Sequence, residues 1–133
     1  MAERIELQAS VQQNASGNSG QFSIPTMVQA ILGVDVTAGS GTISDFDVWL
    51  EGSDDGGTTW YELPCDLVMK SSGTGTANTV AANQRNVVDS KTSTTAEKFV
   101  GIYKALPADV VRLRWILTGT TPTMTFSASL VGK

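Results

Sequence analysis

The sequence predicts an all-β fold, a single-domain antiparallel β-sandwich of jelly-roll-like type, and three observations carry that expectation. Apolar and polar residues alternate with period two in segment after segment, which is the pattern of strands with one face on a core. No stretch keeps a 3.6-residue period over three turns, so at most a turn of helix is expected. The chain has 133 residues, 41% hydrophobic and 17% charged, the size and composition of one domain with one sizeable core. That domain is expected to span residues 1–133.

In residues 3–11 the apolar positions Ile5, Leu7, Ala9 and Val11 alternate with Glu6, Gln8 and Ser10, predicting a first strand. Residues 1–22 are also a candidate N-terminal arm. Residues 12–20, rich in Asn, Ser and Gly, read as a loop, and Pro25 precedes a run in which Val28, Ala30, Leu32, Val34 and Val36 alternate. Gly39-Ser40-Gly41-Thr42 reads as a turn. After it Phe46, Val48 and Leu50 alternate with Asp45, Asp47, Trp49 and Glu51, so the two runs are expected to form a hairpin. A second turn at residues 53–58 leads into Trp60-Tyr61-Glu62-Leu63, and Pro64 ends that strand.

Residues 71–95 hold few side chains able to fill a core, so a long exposed polar loop is expected there, with a short strand at residues 86–88. Residues 99–103 return to strand character, and Leu106-Pro107-Ala108-Asp109 is a turn. Val111, Leu113, Trp115 and Leu117, then Met124, Phe126, Ala128 and Leu130, predict a second hairpin about residues 118–122. The two hairpin segments resemble each other, Val36 with Leu117 and Phe46 with Phe126. Either an internal duplication or the commonness of Thr-Gly turns accounts for that weak repeat. Two similar hairpins suit two packed sheets.

Composition also narrows function. Nine Lys and Arg against thirteen Asp and Glu give a net charge of −4, so binding to nucleic-acid phosphates has no electrostatic drive. The chain contains no His, which removes the usual neutral-pH base, the Ser-His-Asp and Cys-His pairs and most zinc sites. Neither an enzyme nor a cofactor is expected. Cys65 is the only cysteine and is read as a small buried hydrophobe in a protein made in a reducing cytosol. Met1 is followed by Ala2-Glu3-Arg4 rather than an apolar signal segment, and no apolar run has the length of a membrane span.

Four sets of residues are candidates for a role. Ser53-Asp54-Asp55-Gly56-Gly57-Thr58-Thr59-Trp60 resembles the Asp-box of sialidases and related β-propellers. Its physical reading is a structural turn, with Asp55 accepting backbone N–H groups, Gly57 at a φ forbidden to other residues and Trp60 plugging the next strand onto the core. Asp45, Asp47, Asp54 and Asp55 fall near one hairpin, as either a solvated face or a calcium site, although no EF-hand spacing is present and no metal is expected. Trp49 is on the face opposite Phe46, Val48 and Leu50, so it is loop-covered, a protein contact or, with Trp60 and Tyr61, a stacking surface for sugar. Arg112 and Arg114 share a strand face on which pairing with carboxylates such as Glu51 is expected.

One resemblance joins these motifs. The succession Val34-Asp35-Val36-Thr37-Ala38, Gly41-Thr42, residues 46–61 through Asp55-Gly56-Gly57-Thr58-Thr59-Trp60, Val111-Arg112-Leu113-Arg114-Trp115 and residues 118–127 resembles small virion structural proteins of tailed bacteriophages. It implies a capsid decoration, or cement, protein, synthesised in the host cytoplasm and carried on the virion surface. Such a protein clamps neighbouring capsomers through the major capsid protein, commonly as a homotrimer, with no nucleic acid or membrane partner. On that reading Trp49, Arg112 and Arg114 are candidate subunit contacts, and Ile5, Leu7, Ser72, Thr74, Asn83 and Arg85 are candidate capsid contacts. A carbohydrate-binding module and a head-tail or tail structural protein are the alternatives.

Overall fold

The computed structural model describes residues 3–24, 27–70, 87–91 and 93–133. Among them are nine strands and no helix: β1 (Glu3–Gln13), β2 (Gly17–Asn18), β3 (Phe22–Ser23), β4 (Ala30–Ser53), β5 (Tyr61–Glu62), β6 (Leu67–Lys70), β7 (Val87–Lys91), β8 (Glu97–Tyr103) and β9 (Val110–Gly132). The fold class is as the sequence predicts, all-β and antiparallel throughout. β7 lies inside the expected 71–95 loop and continues past the short strand expected at residues 86–88.

The two expected hairpins are replaced by something else. Residues 30–53 form one strand of 24 residues and residues 110–132 one of 23, and the two pair with each other along their whole length, from Ala30 with Gly132 to Ser53 with Val110. Residues 39–42 and 118–122 therefore do not turn the chain back. Register shifts lie in and beside residues 39–42, between Val36 and Ala38, Ser40 and Thr42, and Ile43 and Asp45, and the two-stranded ladder bends about them. Glycines at positive φ suit a tight turn and equally a glycine-type bulge in a long ladder, so the same residues serve a different topology. Gly41 has φ 76°, and a Cβ there would stand 2.1 Å from the Thr121 carbonyl oxygen; Gly119 has φ 146°, and a Cβ would stand 1.9 Å from the Thr42 carbonyl oxygen.

The bend divides the sheet into two wings. The first holds residues 30–36 and 124–132, flanked by β1 on one side and by β8 and β6 on the other. The second holds residues 46–53 and 110–117, flanked by β2 and β3 on one side and by β5 and β7 on the other. One core unites them: Leu32, Val34, Val36 and Leu130 from the first wing cluster with Val48, Leu50, Leu113 and Leu117 from the second. Phe126 crosses between them, its ring 5.2 Å from those of Phe46 and Trp115. The layers of this sandwich are thus two ends of one continuous hydrogen-bonded sheet.

The repeat seen in the sequence acquires a spatial meaning here. Val36 pairs with Phe126 and Phe46 with Leu117; Leu32 pairs with Leu130 and Leu50 with Leu113; Ala30 pairs with Gly132 and Gly52 with Val111. Exchanging the two long strands about the midpoint of the ladder reproduces the pairing, a local pseudo-two-fold.

Within residues 3–23, β1, β2 and β3 are part of the sheet. β1 pairs antiparallel with β9 from Glu3 opposite Gly132 to Gln13 opposite Met124, with two register shifts, and Leu7 is buried in the core. The expected arm at residues 1–22 is therefore corrected over its described part: a strand with one core-facing side chain cannot leave without exposing it. The polar stretch that follows is stapled to the edge of the second wing. Ser16 and Ser19 hydroxyls accept the Leu117 and Leu113 N–H groups at 2.9 Å, and the Trp115 indole donates to the Ala15 carbonyl at 3.0 Å.

Candidate functional site

The turn at residues 53–60 is built as its residue types predict. The Ser53 hydroxyl donates to Asp55 Oδ1 at 2.6 Å and accepts the Gly57 N–H at 3.0 Å, while the same Oδ1 accepts the Thr58 and Thr59 N–H groups at 3.1 and 2.9 Å. These donors hold the Asp55 carboxyl at about 2, below its ordinary 3.8, the Ser53 hydroxyl contributing most and the Thr59 amide next. Gly56 and Gly57 have φ of 75° and 99°. Ser53, Asp55, Gly57 and Trp60 thus come together, with one correction. Trp60 does not plug the core: its indole donates to the Gly57 carbonyl at 3.0 Å and its ring lies half-buried under the Arg112 guanidinium, 4.3 Å from the ring centre.

Arg112 links this turn to the outer face of the second wing. Its Nε donates to Glu51 Oε1 at 2.7 Å, as the cross-strand register of Glu51 with Arg112 requires, and Glu51 Oε2 accepts the Trp49 indole N–H at 3.1 Å. The result is a row of side chains, Trp60, Arg112, Glu51 and Trp49, in which each polar group satisfies the next. Trp49 is only 3% exposed although it lies outside the core cluster. Arg114, opposite Trp49 in the ladder, donates to the Gly17 carbonyl at 3.0 Å and so holds the amino-terminal segment in place.

The candidate subunit contacts are accordingly placed inside the chain's own structure. Trp49 offers no accessible ring, which corrects its reading as a surface contact, and Arg112 and Arg114 spend hydrogen bonds on internal partners. The sugar-stacking surface is not assembled either, since Trp49 is covered and the Trp60 face is occupied by Arg112. Leu7 is corrected as a capsid contact because it belongs to the core, and Ile5 packs partly against that core. Ser72, Thr74, Asn83 and Arg85 lie outside the described residues. Cys65 is buried in the core and forms no disulfide. Among the described residues no group of three His, Cys, Asp or Glu side chains is placed to hold a metal ion.

The outer face of the first wing has a different character. Ile31 pairs with both Ile102 and Val131, so three aliphatic side chains stand side by side across adjacent strands. Ile31 remains 47% and Val131 37% exposed. They floor a depression of about 440 Å³ that Lys104 and Lys133 also line. Further along the same face, Gly33 leaves a smaller polar hollow of about 140 Å³ bordered by Arg4, Glu6, Asp35 and Lys98. Sequence reasoning missed this apolar shelf. Its signal is Ile31, an apolar residue between the alternating Ala30 and Leu32, but two adjacent strands have to be placed before it becomes a surface.

No family model matches the chain, and no curated protein matches it. Among solved structures, the crystal structure of the SPBc2 prophage-derived protein YomS is similar at a TM-score of 0.48 and 9% identity, over 99% of this chain and 96% of that one.

Proposed function

We propose that this chain is a non-enzymatic structural protein of a tailed-phage virion that binds the outer capsid surface and clamps neighbouring capsomers. The observation that carries the reading is where the residues of the sequence resemblance fall. Residues 34–61 and 111–127 form one contiguous scaffold, the bent β4–β9 ladder with the Asp55 turn at its end. The motifs that recur in virion proteins are thus the parts that build the sandwich.

Such a protein acts by surface complementarity. If its binding sites exist only on the expanded capsid lattice, each bound copy stabilises that lattice by mass action and no bond is made or broken. The major capsid protein is the proposed partner, self-association the proposed mode of clamping, and Ser72, Thr74, Asn83 and Arg85 the proposed capsid contacts.

The test is co-sedimentation of the purified chain with expanded and unexpanded shells of the phage or prophage whose genome carries it. Saturable pelleting with expanded shells, together with a higher shell melting temperature, is the expected result. Absence of pelleting with either shell, or binding to tail tubes instead, overturns the capsid assignment.

A further inference from the structure

The chain carries four more negative than positive charges, yet the open apolar shelf of the first wing is rimmed by two lysines, Lys104 and Lys133. One carboxylate stands at that rim, Asp66, which accepts the Lys104 N–H at 2.8 Å, and a denser acidic patch lies elsewhere. Asp54 and Asp109 are exposed beside Tyr61 at the free end of the second wing, where Ser53 pairs with Val110. Tyr61 is itself half-buried, its hydroxyl donating to the Pro107 carbonyl, and after burial the nearby Asp54, Asp109 and Asp55 charges raise its phenol above the usual range. The two patches are complementary in kind: apolar side chains with a cationic rim on one, an aromatic ring with a carboxylate rim on the other.

We propose that the shelf of Ile31, Ile102 and Val131, with Lys104 and Lys133, docks a second copy of this chain through that copy's Asp54, Asp109 and Tyr61. Two different patches meet, so the contact is heterologous and propagates from copy to copy, ending in a ring where the rotation between copies closes. Apolar burial at Ile31 and Val131 supplies attraction that salt does not screen, while the lysine and carboxylate rims select orientation and weaken with ionic strength. A foreign partner of unspecified charge is less well matched, because the chain already carries the acidic and aromatic surface that the shelf would receive. The contact rests on the self-association proposed above and gives it an interface; because the free protein makes it, its failure and the failure of capsid binding are read separately.

The experiment is light scattering on the full chain at about 100 µM, where contacts of micromolar affinity are populated. A mass that is a multiple of 14.0 kDa is expected for the wild type. It should fall to 14.0 kDa in K104E/K133E and in D54K/D109K, and return to the multiple when all four changes are combined in one chain. Circular dichroism verifies the fold of each variant, and Ile31→Glu, at an exposed position, is a second way to block the shelf. A 14.0 kDa wild type, an unchanged mass in D54K/D109K, or no recovery in the combined variant overturns the proposal. Shell pelleting by the monomeric variants reads capsid binding separately.

Discussion

The two wings share an inner face and differ on the outer one. Inside, the pseudo-two-fold places Phe46 and Phe126, Leu50 and Leu130, and Leu32 and Leu113 in equivalent positions of one core. Outside, the second wing is closed by its own row of Trp60, Arg112, Glu51 and Trp49, whereas the first leaves Ile31 and Val131 in contact with solvent. The difference teaches that packing constrains only one side of each strand. Equivalent backbones with equivalent cores have taken up opposite outer roles, one serving internal stability and the other leaving surface for contact.

The largest test of the shared half of this comparison is truncation of its central rings. Phe126→Ala and Phe46→Ala are each expected to cost about 3–5 kcal/mol, the range for removing a buried phenylalanine. Phe126 should cost more by up to about 1 kcal/mol, because it loses ring contacts to both Phe46 and Trp115. Urea denaturation measures both. A negligible cost at either position would show that the wings are not joined through these rings.

An intermediate effect separates the outer faces. Arg112→Ala removes the guanidinium from Glu51 and Trp60 and is expected to cost about 1.5 kcal/mol, the pair being only partly exposed. Ile31→Ser on the open shelf should change monomer stability by less than about 0.5 kcal/mol. Equal costs for the two substitutions would erase the distinction between a closed and an open outer face.

The smallest effect is the pH dependence of the second wing's turn. Asp55 titrates at about 2 in the fold against 3.8 ordinarily, so the ionised form is the one the turn favours. Its stabilisation is present above the unfolded value and is lost as pH falls through the folded one. NMR titration of the Asp55 carboxyl should give the depressed value, and Asp55→Asn should remove this component of the acid response. A carboxyl titrating near 3.8 would mean that the Ser53, Thr58 and Thr59 donors do not hold it.

Local chemistry was legible wherever it is decided by neighbours in the chain. The Asp55 turn, the core-facing set from Leu32 to Val36 and the buried Cys65 follow from residue type and short-range spacing, whereas the pairing of Arg112 with Glu51 follows from opposite charge and is realised by cross-strand register. What failed did so for a shared reason. Gly41 and Gly119 announce a positive φ, but a hairpin turn and a glycine-type bulge in a long ladder can each use one, and the choice depends on which strand lies alongside. Trp49 was ambiguous for the same reason, since its exposure depends on what covers the outer face rather than on its own strand.

The sequence by itself determined an all-β chain, the parity of its strands and the turn at Asp55, because period-two alternation and side-chain to backbone hydrogen bonds act over a few residues. Only the tertiary structure decided that residues 30–53 and 110–132 are each one strand, that they pair about a pseudo-two-fold, and that Ile31 meets Ile102 and Val131 on an open face. Those outcomes rest on pairing between segments some eighty residues apart, where the free energy comes from burying two faces together and no local pattern in either segment specifies the partner.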